Sequence, residues 1–167
     1  MEERLHTLVS LVQDEPGVLT RIAGLFRRRG FNIESLSVGH CEQPGLSRMT
    51  IVVKGDDAEV DQVTRQLDKL VNVVSVTDIT RCDMVARELA LIKVTATSDE
   101  RSEIMQIVDI YRAKIVDVAP DSVTVEVTGS EDKINSLLAL LRPFGITEMA
   151  RTGRTALIRG ARSSINN

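Results

Sequence analysis

The residue types most often found in metal sites and nucleophilic catalytic sites are few in this chain. Its histidines are His6 and His40, and its cysteines are Cys41 and Cys82. The adjacent pair His40-Cys41 offers two good zinc ligands, but no local spacing completes a tetrahedral ligand set. A Cys-His nucleophile would also need a third, orienting group, and the sequence marks none. We therefore predict no metal site and no catalytic residues, and we interpret His6 as a half-buried or surface residue of a strand.

The segment DEPGVLTRIAGLF, residues 14–26, is where the sequence best indicates a binding site. A strand pattern, LHTLVSLV, precedes it, and Pro16-Gly17 marks a turn directly before a helix pattern. The N–H groups of Gly17, Val18 and Leu19 then lie at the start of the helix. Unpaired donors and the helix dipole favour an anion at that place.

A free amino acid would bring a carboxylate to these donors, together with an ammonium group that needs an acceptor. Asp14 is close in sequence and can accept from the ammonium. Asn32 opens the next predicted strand, which we expect beside the end of the first strand, and its amide is both a donor and an acceptor. The alternative is that Pro16-Gly17 is only a turn, because most helix N-termini are filled by their own caps.

The elements that must position these residues follow from the apolar periodicity. The helix spacing i, i+3, i+4, i+7, with one gap in the second helix, recurs at Leu19/Ile22/Ala23/Phe26, Val60/Val63/Leu67, Ile104/Ile107/Val108/Tyr111 and Ile134/Leu137/Leu138/Leu141. Strand-like runs rich in β-branched residues lie between the helices. We therefore predict an α+β protein of two tandem βαββαβ ferredoxin-like domains, with Ser130 as the N-cap of the last helix. The predicted domains are residues 1–79 and 80–153, and residues 154–167 are predicted to form a flexible basic tail.

Composition and charge exclude several classes of function. The chain has 167 residues, of which 43% are apolar and only 2% aromatic, so the core is aliphatic. The formal charge of −3 gives no electrostatic footprint for nucleic acid or an acidic membrane. No stretch approaches the ~20 apolar residues of a membrane span, and no signal-peptide pattern is present. With two distant cysteines, we expect a cytoplasmic protein.

The first strand carries apolar residues on both of its faces. Leu5, Val9 and Leu11 alternate with Leu8 and Val12. Because a sheet with helices on one side normally has a polar second face, we expect that face to be covered or the sheets to join, and at least a homodimer.

The segment DEPGVLTRIAGLFRRRGFNIESLSV resembles the opening of an ACT domain, a ferredoxin-like module that senses amino acids. Over most of residues 5–153 the chain is similar to the small regulatory subunits of acetohydroxyacid synthase, also called acetolactate synthase. This resemblance is carried by the segments GFNIESLSV, LSRMTIVV, QLDKLVNVVSV, RELALIKV, IVDVAPDSVTVEVTG and ARTG.

The resemblance implies a chain that does no chemistry itself. Members of that family bind the catalytic subunit, which carries thiamine diphosphate, Mg and FAD, and they raise its activity. They also confer feedback inhibition by a branched-chain amino acid, usually valine, which lies at a dimer interface between ACT domains. The loop matching Asp14 to Leu19 in one chain faces the strand start matching Asn32-Ile33 in the other. The resemblance therefore implies a homodimer without a cofactor of its own that binds valine through Asp14, Gly17, Val18, Leu19, Asn32 and Ile33.

The chain departs from the family pattern at Asp14 and in the loop of residues 39–45, and APDSVTVEVTG and the tail after Gly153 match it more loosely. Asp14 stands where the family commonly has Asn, and a carboxylate there either strengthens the hold on the ammonium or adds charge near the ligand carboxylate. The loop GHCEQPG, residues 39–45, also differs from the usual one. The alternative function is a free-standing ACT-type sensor that acts on another enzyme or on transcription, but the long second half and LSRMTI favour the small subunit.

Overall fold

The computed structural model describes residues 2–163 of the chain. The described residues divide into two compact units. The first unit comprises the residues up to Val85 together with those from Gly153 on, and the second comprises Ala86–Thr152. Each unit has the predicted βαββαβ order, so the fold class expected from the sequence is confirmed. Within residues 2–163, no helix is both long enough and apolar enough to cross a membrane.

The first unit is a four-stranded antiparallel sheet with two helices. Its elements are β1 (Arg4–Gln13), α1 (Val18–Arg28), β2 (Ile33–His40), β3 (Leu46–Gly55), α2 (Asp57–Leu67) and β4 (Val73–Asp78). The strand order is β2-β3-β1-β4, so β2 and β4 are the edges. The core lies between the helices and one face of the sheet and is formed by Leu8, Val12, Val18, Ile22, Leu25, Phe26, Met49, Ile51, Val53, Val60, Val63, Leu67 and Val73.

A capping residue explains why α2 begins where it does, and the buried face of α1 corrects one expectation. Asp56 caps α2 with a capping box, in which Glu59 N–H donates to the Asp56 carboxylate at 2.9 Å. In α1, Leu19 and Ala23 were expected on the buried face, but both are exposed, Leu19 at 48%. The buried stripe is instead Val18, Ile22, Leu25 and Phe26. Both patterns share Ile22 and Phe26, and the sequence alone could not tell on which side of them the stripe extends.

The second unit repeats the plan. Its elements are β5 (Met84–Thr95), which begins just before the division, α3 (Arg101–Ile110), β6 (Lys114–Val118), β7 (Ser122–Gly129), α4 (Glu131–Leu141), a 3-10 turn (Arg142–Phe144) and β8 (Ile146–Arg151). The strand order is β6-β7-β5-β8. The predicted cap of the last helix is confirmed, since the Ser130 hydroxyl accepts from Lys133 N–H at 3.3 Å. Residues of β5, β7, α3 and α4 form a second, separate aliphatic core, and partly buried residues of β6 and β8 pack against it.

The segment after Gly153 differs from the flexible tail predicted for residues 154–167. Thr155–Ile158 form a strand, β9, within the first unit. The Arg154 guanidinium donates to the Thr7 hydroxyl at 2.9 Å, and the Arg48 guanidinium donates to Ala156 O at 2.7 Å. The strand is too short for its periodicity to be seen in the sequence. The boundary between the units, predicted after residue 79, lies after residue 85. Residues 164–167 of the predicted tail lie outside the described residues.

The second face of β1 is buried within the single chain. Val9 and Leu11, which lie outside the core under the helices, are only 2% and 1% exposed. Next to them on the sheet, the hydroxyl groups of Ser37 and Thr155 lie 3.2 Å apart. Val9 and Leu11 are therefore accounted for without a second copy of the chain, whereas Leu5 on the same face stays 41% exposed.

Candidate functional site

The loop between β1 and α1 ends at Gly17. This residue has a φ of +88°, in the left-handed region that favours glycine. A Cβ built at Gly17 would meet no atom within 4 Å, so the space beside the turn is open. Glycine is therefore required here by the backbone conformation, and not by a close neighbour in the same chain.

The N-terminus of α1 has no side-chain cap among the described residues, and no acidic residue in its first turn. The Asp56 carboxylate and the Ser130 hydroxyl cap α2 and α4, whereas α3 also begins without a cap. The Val18 N–H makes only a long contact of 3.5 Å with Glu15 O. The first N–H groups of α1 are thus donors that an external carboxylate can use.

Asp14 is held from the hairpin between β2 and β3. Its N–H donates to Gly45 O at 2.9 Å, and its Oδ1 accepts from the Ser47 hydroxyl at 3.4 Å. Its Oδ2 lies 3.3 Å from Nδ1 of His40. Because the Asp14 side chain remains 48% exposed, its carboxylate is oriented by the hairpin and still accessible to a cation. The residues of this hairpin were not among the predicted site residues.

Asn72 holds the residues on either side of Asp14 from the β4 side of β1, whereas the hairpin holds Asp14 from the β3 side. Asn72 lies in the turn between α2 and β4 and is 8% exposed. Its side-chain amide donates to Gln13 Oε1 and to Glu15 Oε2, both at 3.0 Å. No pattern in the sequence marks Asn72, because it bonds residues almost 60 positions away and stands in an ordinary turn.

The structure places Asn32 and Ile33 at the other end of the sheet. In the strand register, Ile33 pairs with Val53, and Val53 pairs with His6 near the start of β1. The distance along β1 from there to Asp14 is about 25 Å at ~3.3 Å per residue. The expectation that Asn32 lies beside the end of the first strand is therefore wrong within one chain. The physical reason is that α1 carries the chain back along the sheet, so β2 starts where β1 starts.

The β1–α1 loop can therefore recognise the two charged ends of an α-amino acid. Its N–H donors suit a carboxylate, and the oriented Asp14 carboxylate suits an ammonium group. Val18 contributes only its backbone, because its side chain is buried at 5% exposure. The exposed side chain of Leu19 lies in the same turn and offers an apolar contact. Asn32 is exposed and Ile33 half-buried, so both are accessible at their own end of the sheet.

A second cluster of charged side chains surrounds His6, which is 2% exposed and thus not the half-buried or surface residue expected. Its Nδ1 lies 2.9 Å from Asp78 Oδ2 and its Nε2 3.4 Å from Asp57 Oδ1. Arg4 and Arg81 each donate to the Asp57 carboxylate at 2.6 Å. Desolvation alone would raise the pKa of Asp57, but the hydrogen bonds and charges of the two arginines outweigh it and lower that pKa. These contacts tie the start of α2 to the start of β1 and to the segment that follows β4.

The His40-Cys41 pair does not form a ligand set in the described part of the chain, where no three His, Cys, Asp or Glu side chains cluster as metal ligands do. The Cys41 thiol lies 3.6 Å from Leu46 O, within the hairpin. Cys41 and Cys82 are both free cysteines.

Two family descriptions match the chain, in its first and second halves. Residues 8–75 match the family described as "AHAS small subunit-like ACT domain", in which AHAS stands for acetohydroxyacid synthase. Residues 87–160 match the family described as "Small subunit of acetolactate synthase". The first unit is therefore an ACT domain, as its opening segment indicates.

Relatives and a solved structure match over almost the whole length. A probable acetolactate synthase small subunit of Methanothermobacter thermautotrophicus is 54% identical over 164 residues, which is 98% of each chain. One from Archaeoglobus fulgidus is 56% identical and covers 93% of this chain and 97% of its own. The crystal structure of the acetolactate synthase small subunit from Thermotoga maritima superposes with a TM-score of 0.88 at 44% identity, covering 95% of this chain and 99% of that one. This chain thus belongs to the family of acetolactate synthase small subunits.

Proposed function

We propose that this chain is a non-catalytic regulatory subunit in branched-chain amino acid biosynthesis. It binds the catalytic subunit of acetolactate synthase, raises its activity, and confers feedback inhibition by a branched-chain amino acid, with valine as the first choice. Thiamine diphosphate, Mg and FAD belong to the catalytic subunit in the cytoplasm, and this chain carries no cofactor. The observation that carries the proposal is the similarity to acetolactate synthase small subunits across both units.

The effector binds at the β1–α1 loop. Its carboxylate accepts hydrogen bonds from the N–H groups of Gly17, Val18 and Leu19, where the helix dipole favours negative charge. Its ammonium group pairs with Asp14, whose carboxylate is already oriented by Ser47 and lies 48% exposed. An aspartate at this position, in place of the usual asparagine, gives the ammonium a full counter-charge.

A second copy of the chain completes the site. β2 is an edge strand, and among the described residues no strand pairs with its outer side. The end of β2 lies at the effector loop, since His40 contacts Asp14 there. If two β2 edges pair antiparallel about a two-fold axis, the start of each β2 lies beside the end of the other. Asn32 and Ile33 of one protomer then reach the loop of the second, although the two segments lie far apart in one chain.

Mixing two inactive variants tests this arrangement. Gly17→Asp damages the loop and Asn32→Ala damages the strand start, so neither homodimer should bind valine well. In a mixed dimer, one site combines both substitutions, and the other combines an intact loop with an intact Asn32. Each mixed dimer therefore has one intact site. If the two variants are unfolded and refolded together, about half of the dimers should be mixed, so calorimetry should detect about one valine site for every two dimers.

Each homodimer refolded alone is the matched control and should stay weak. If the mixture binds no better than the two controls, although mixed dimers form, the site does not cross the dimer interface. A valine titration in which both single variants bind like the unaltered chain would contradict the site itself.

A further inference from the structure

We propose that Asn72 is a positioning residue for the effector loop, an inference that rests on the proposed function. Asn72 fixes Gln13 and Glu15 on the two sides of Asp14, so that the loop has its binding conformation before the effector arrives. Asn72 does not itself touch the effector in this proposal. It acts through the loop.

The hydrogen bonds of Asn72 use every polar atom of its side chain. The Nδ2 amide donates to Gln13 Oε1 and to Glu15 Oε2, both at 3.0 Å. Its Oδ1 accepts from the guanidinium of Arg21, which lies in the first half of α1. Its backbone carbonyl also accepts from Gln13 N–H at 2.9 Å. One nearly buried residue therefore connects the end of β1, the loop and the helix whose N–H groups form the carboxylate site.

The fold sets the position of Asn72 through an irregularity in β4. Leu11 pairs with Ser75, but its neighbour Val12 pairs with Val73, so one residue of β4 is extra at this point. The resulting bulge places Asn72 opposite Gln13. An asparagine satisfies the position because it supplies two N–H donors and an acceptor, whereas an aspartate would supply acceptors only.

The consequence for binding is preorganisation. A loop that is already ordered spares the effector the conformational entropy of ordering it. Asp14, between Gln13 and Glu15, depends on both for its place. Loss of the Asn72 donors should therefore weaken effector binding by about tenfold, the size expected for one or two partly buried hydrogen bonds.

Asn72→Asp is the sharpest variant, because it keeps the shape and the acceptor for Arg21 but sets a carboxylate against that of Glu15. In the double variant Asn72→Asp/Glu15→Gln, the new amide at position 15 can donate to the new carboxylate at position 72, which restores the bond in the reverse direction. The matched control is Gln66→Ala, which removes a hydrogen bond of 2.9 Å that α2 accepts from Arg29, the residue directly after α1 and away from the loop.

Two readouts on the full chain test the proposal. Exchange of the backbone N–H groups of residues 13–15 and 17 without effector should be faster in Asn72→Asp and return toward the original rate in the double variant. The valine inhibition midpoint of the complex with the catalytic subunit should rise by about tenfold in Asn72→Asp, fall back in the double variant and stay unchanged in Gln66→Ala. An unchanged exchange rate, an unmoved midpoint, or no recovery in the double variant would overturn the role of Asn72. A complex of the unaltered chain that ignores valine, leucine and isoleucine would instead overturn the proposed function, and this inference with it.

Discussion

Asp14 and Asn32 lie at opposite ends of the same sheet. The register fixes this relationship, because Ile33 is level with His6 at the start of β1, whereas Asp14 directly follows the end of β1. Two residues proposed for one effector site therefore cannot meet within a single chain. The proposed site needs two protomers, and this requirement makes dimerisation through β2 part of effector recognition and not only a source of stability.

Gly17→Asp should desensitise the complex to valine and leave activation largely intact. The substitution adds a negative charge that competes for the N–H donors of α1, and it puts a side chain at a φ of +88°. Activation should persist because it depends on docking to the catalytic subunit by another surface. A valine titration of the reconstituted complex measures both quantities.

The matched control for Gly17→Asp is Gly160→Asp. Gly160 also has a positive φ, +78°, and no atom within 4 Å of an added Cβ. The two variants share backbone strain and added charge, but only one alters the proposed site. Equal shifts of the inhibition midpoint in both would show that strain or charge, and not the site, causes the effect.

Asn32→Ala should weaken valine binding without lowering the stability of the ACT domain. Asn32 is exposed in one chain, so truncating its side chain removes no buried contact there. In the dimer it removes a polar partner of the effector, a loss of about 1–3 kcal/mol if the bond is buried. Calorimetry should show weaker binding while the thermal unfolding temperature stays constant. Glu34→Ala, at an exposed position of the same strand, should change neither.

Ending the chain at Thr152 should destabilise the ACT domain. The deletion removes the hydrogen bonds of Arg154 with Thr7 and of Arg48 with Ala156. It also exposes to solvent the residues of β1 and β3 that these bonds cover. With about 1 kcal/mol for each hydrogen bond, the loss should be at least ~2 kcal/mol. Urea unfolding measures it, and a chain ending at Ser163, which keeps these contacts, is the control. Equal unfolding midpoints for the two truncated chains would mean that the segment from Gly153 on does not stabilise the fold.

The ion pairs of Asp57 should make stability depend on acid pH. Because Arg4 and Arg81 lower the pKa of Asp57 in the folded chain, its contribution is present above the unfolded value, 3.8, and is lost as the pH falls through the folded value. Asp57→Asn should therefore lose less stability than the unaltered chain between neutral pH and a pH below 3.8. Asp61→Asn, which removes only an ion pair with Arg65 on the surface of α2, is the control. Parallel stability profiles for Asp57→Asn and the unaltered chain would contradict the account.

The periodicity of the sequence was sufficient for the fold class and the order of the elements in each unit. Apolar spacing predicted the helices α1 to α4, and the cap at Ser130 was correct, because local rules determine both. Local rules failed where distant contacts decide. The strand Thr155–Ile158 is too short to have a visible period, and its place depends on residues about 100 positions away, such as Arg48.

The candidate site was predictable only in part, for the same reason. Pro16-Gly17 indicates a turn followed by a helix start without a side-chain cap, and α1 begins in this way. The side chains that orient the loop, such as Asn72 and Ser47, come from turns and hairpins with no distinguishing pattern. The error over Asn32 came from judging two strand ends by their order in sequence, whereas the direction of each strand decides which ends meet.

The central claim is tested most directly by the rate of acetolactate formation with a purified acetolactate synthase catalytic subunit. We predict that this chain alone forms no acetolactate, because the proposed function assigns the carbanion chemistry to thiamine diphosphate on the partner. Added to the catalytic subunit it should raise the rate, and valine should then lower the rate of the complex but not that of the catalytic subunit alone. The coupling between the two sites should be on the order of 1–3 kcal/mol. Turnover by this chain by itself, or a catalytic subunit whose rate and valine response are unchanged by its addition, would contradict the account.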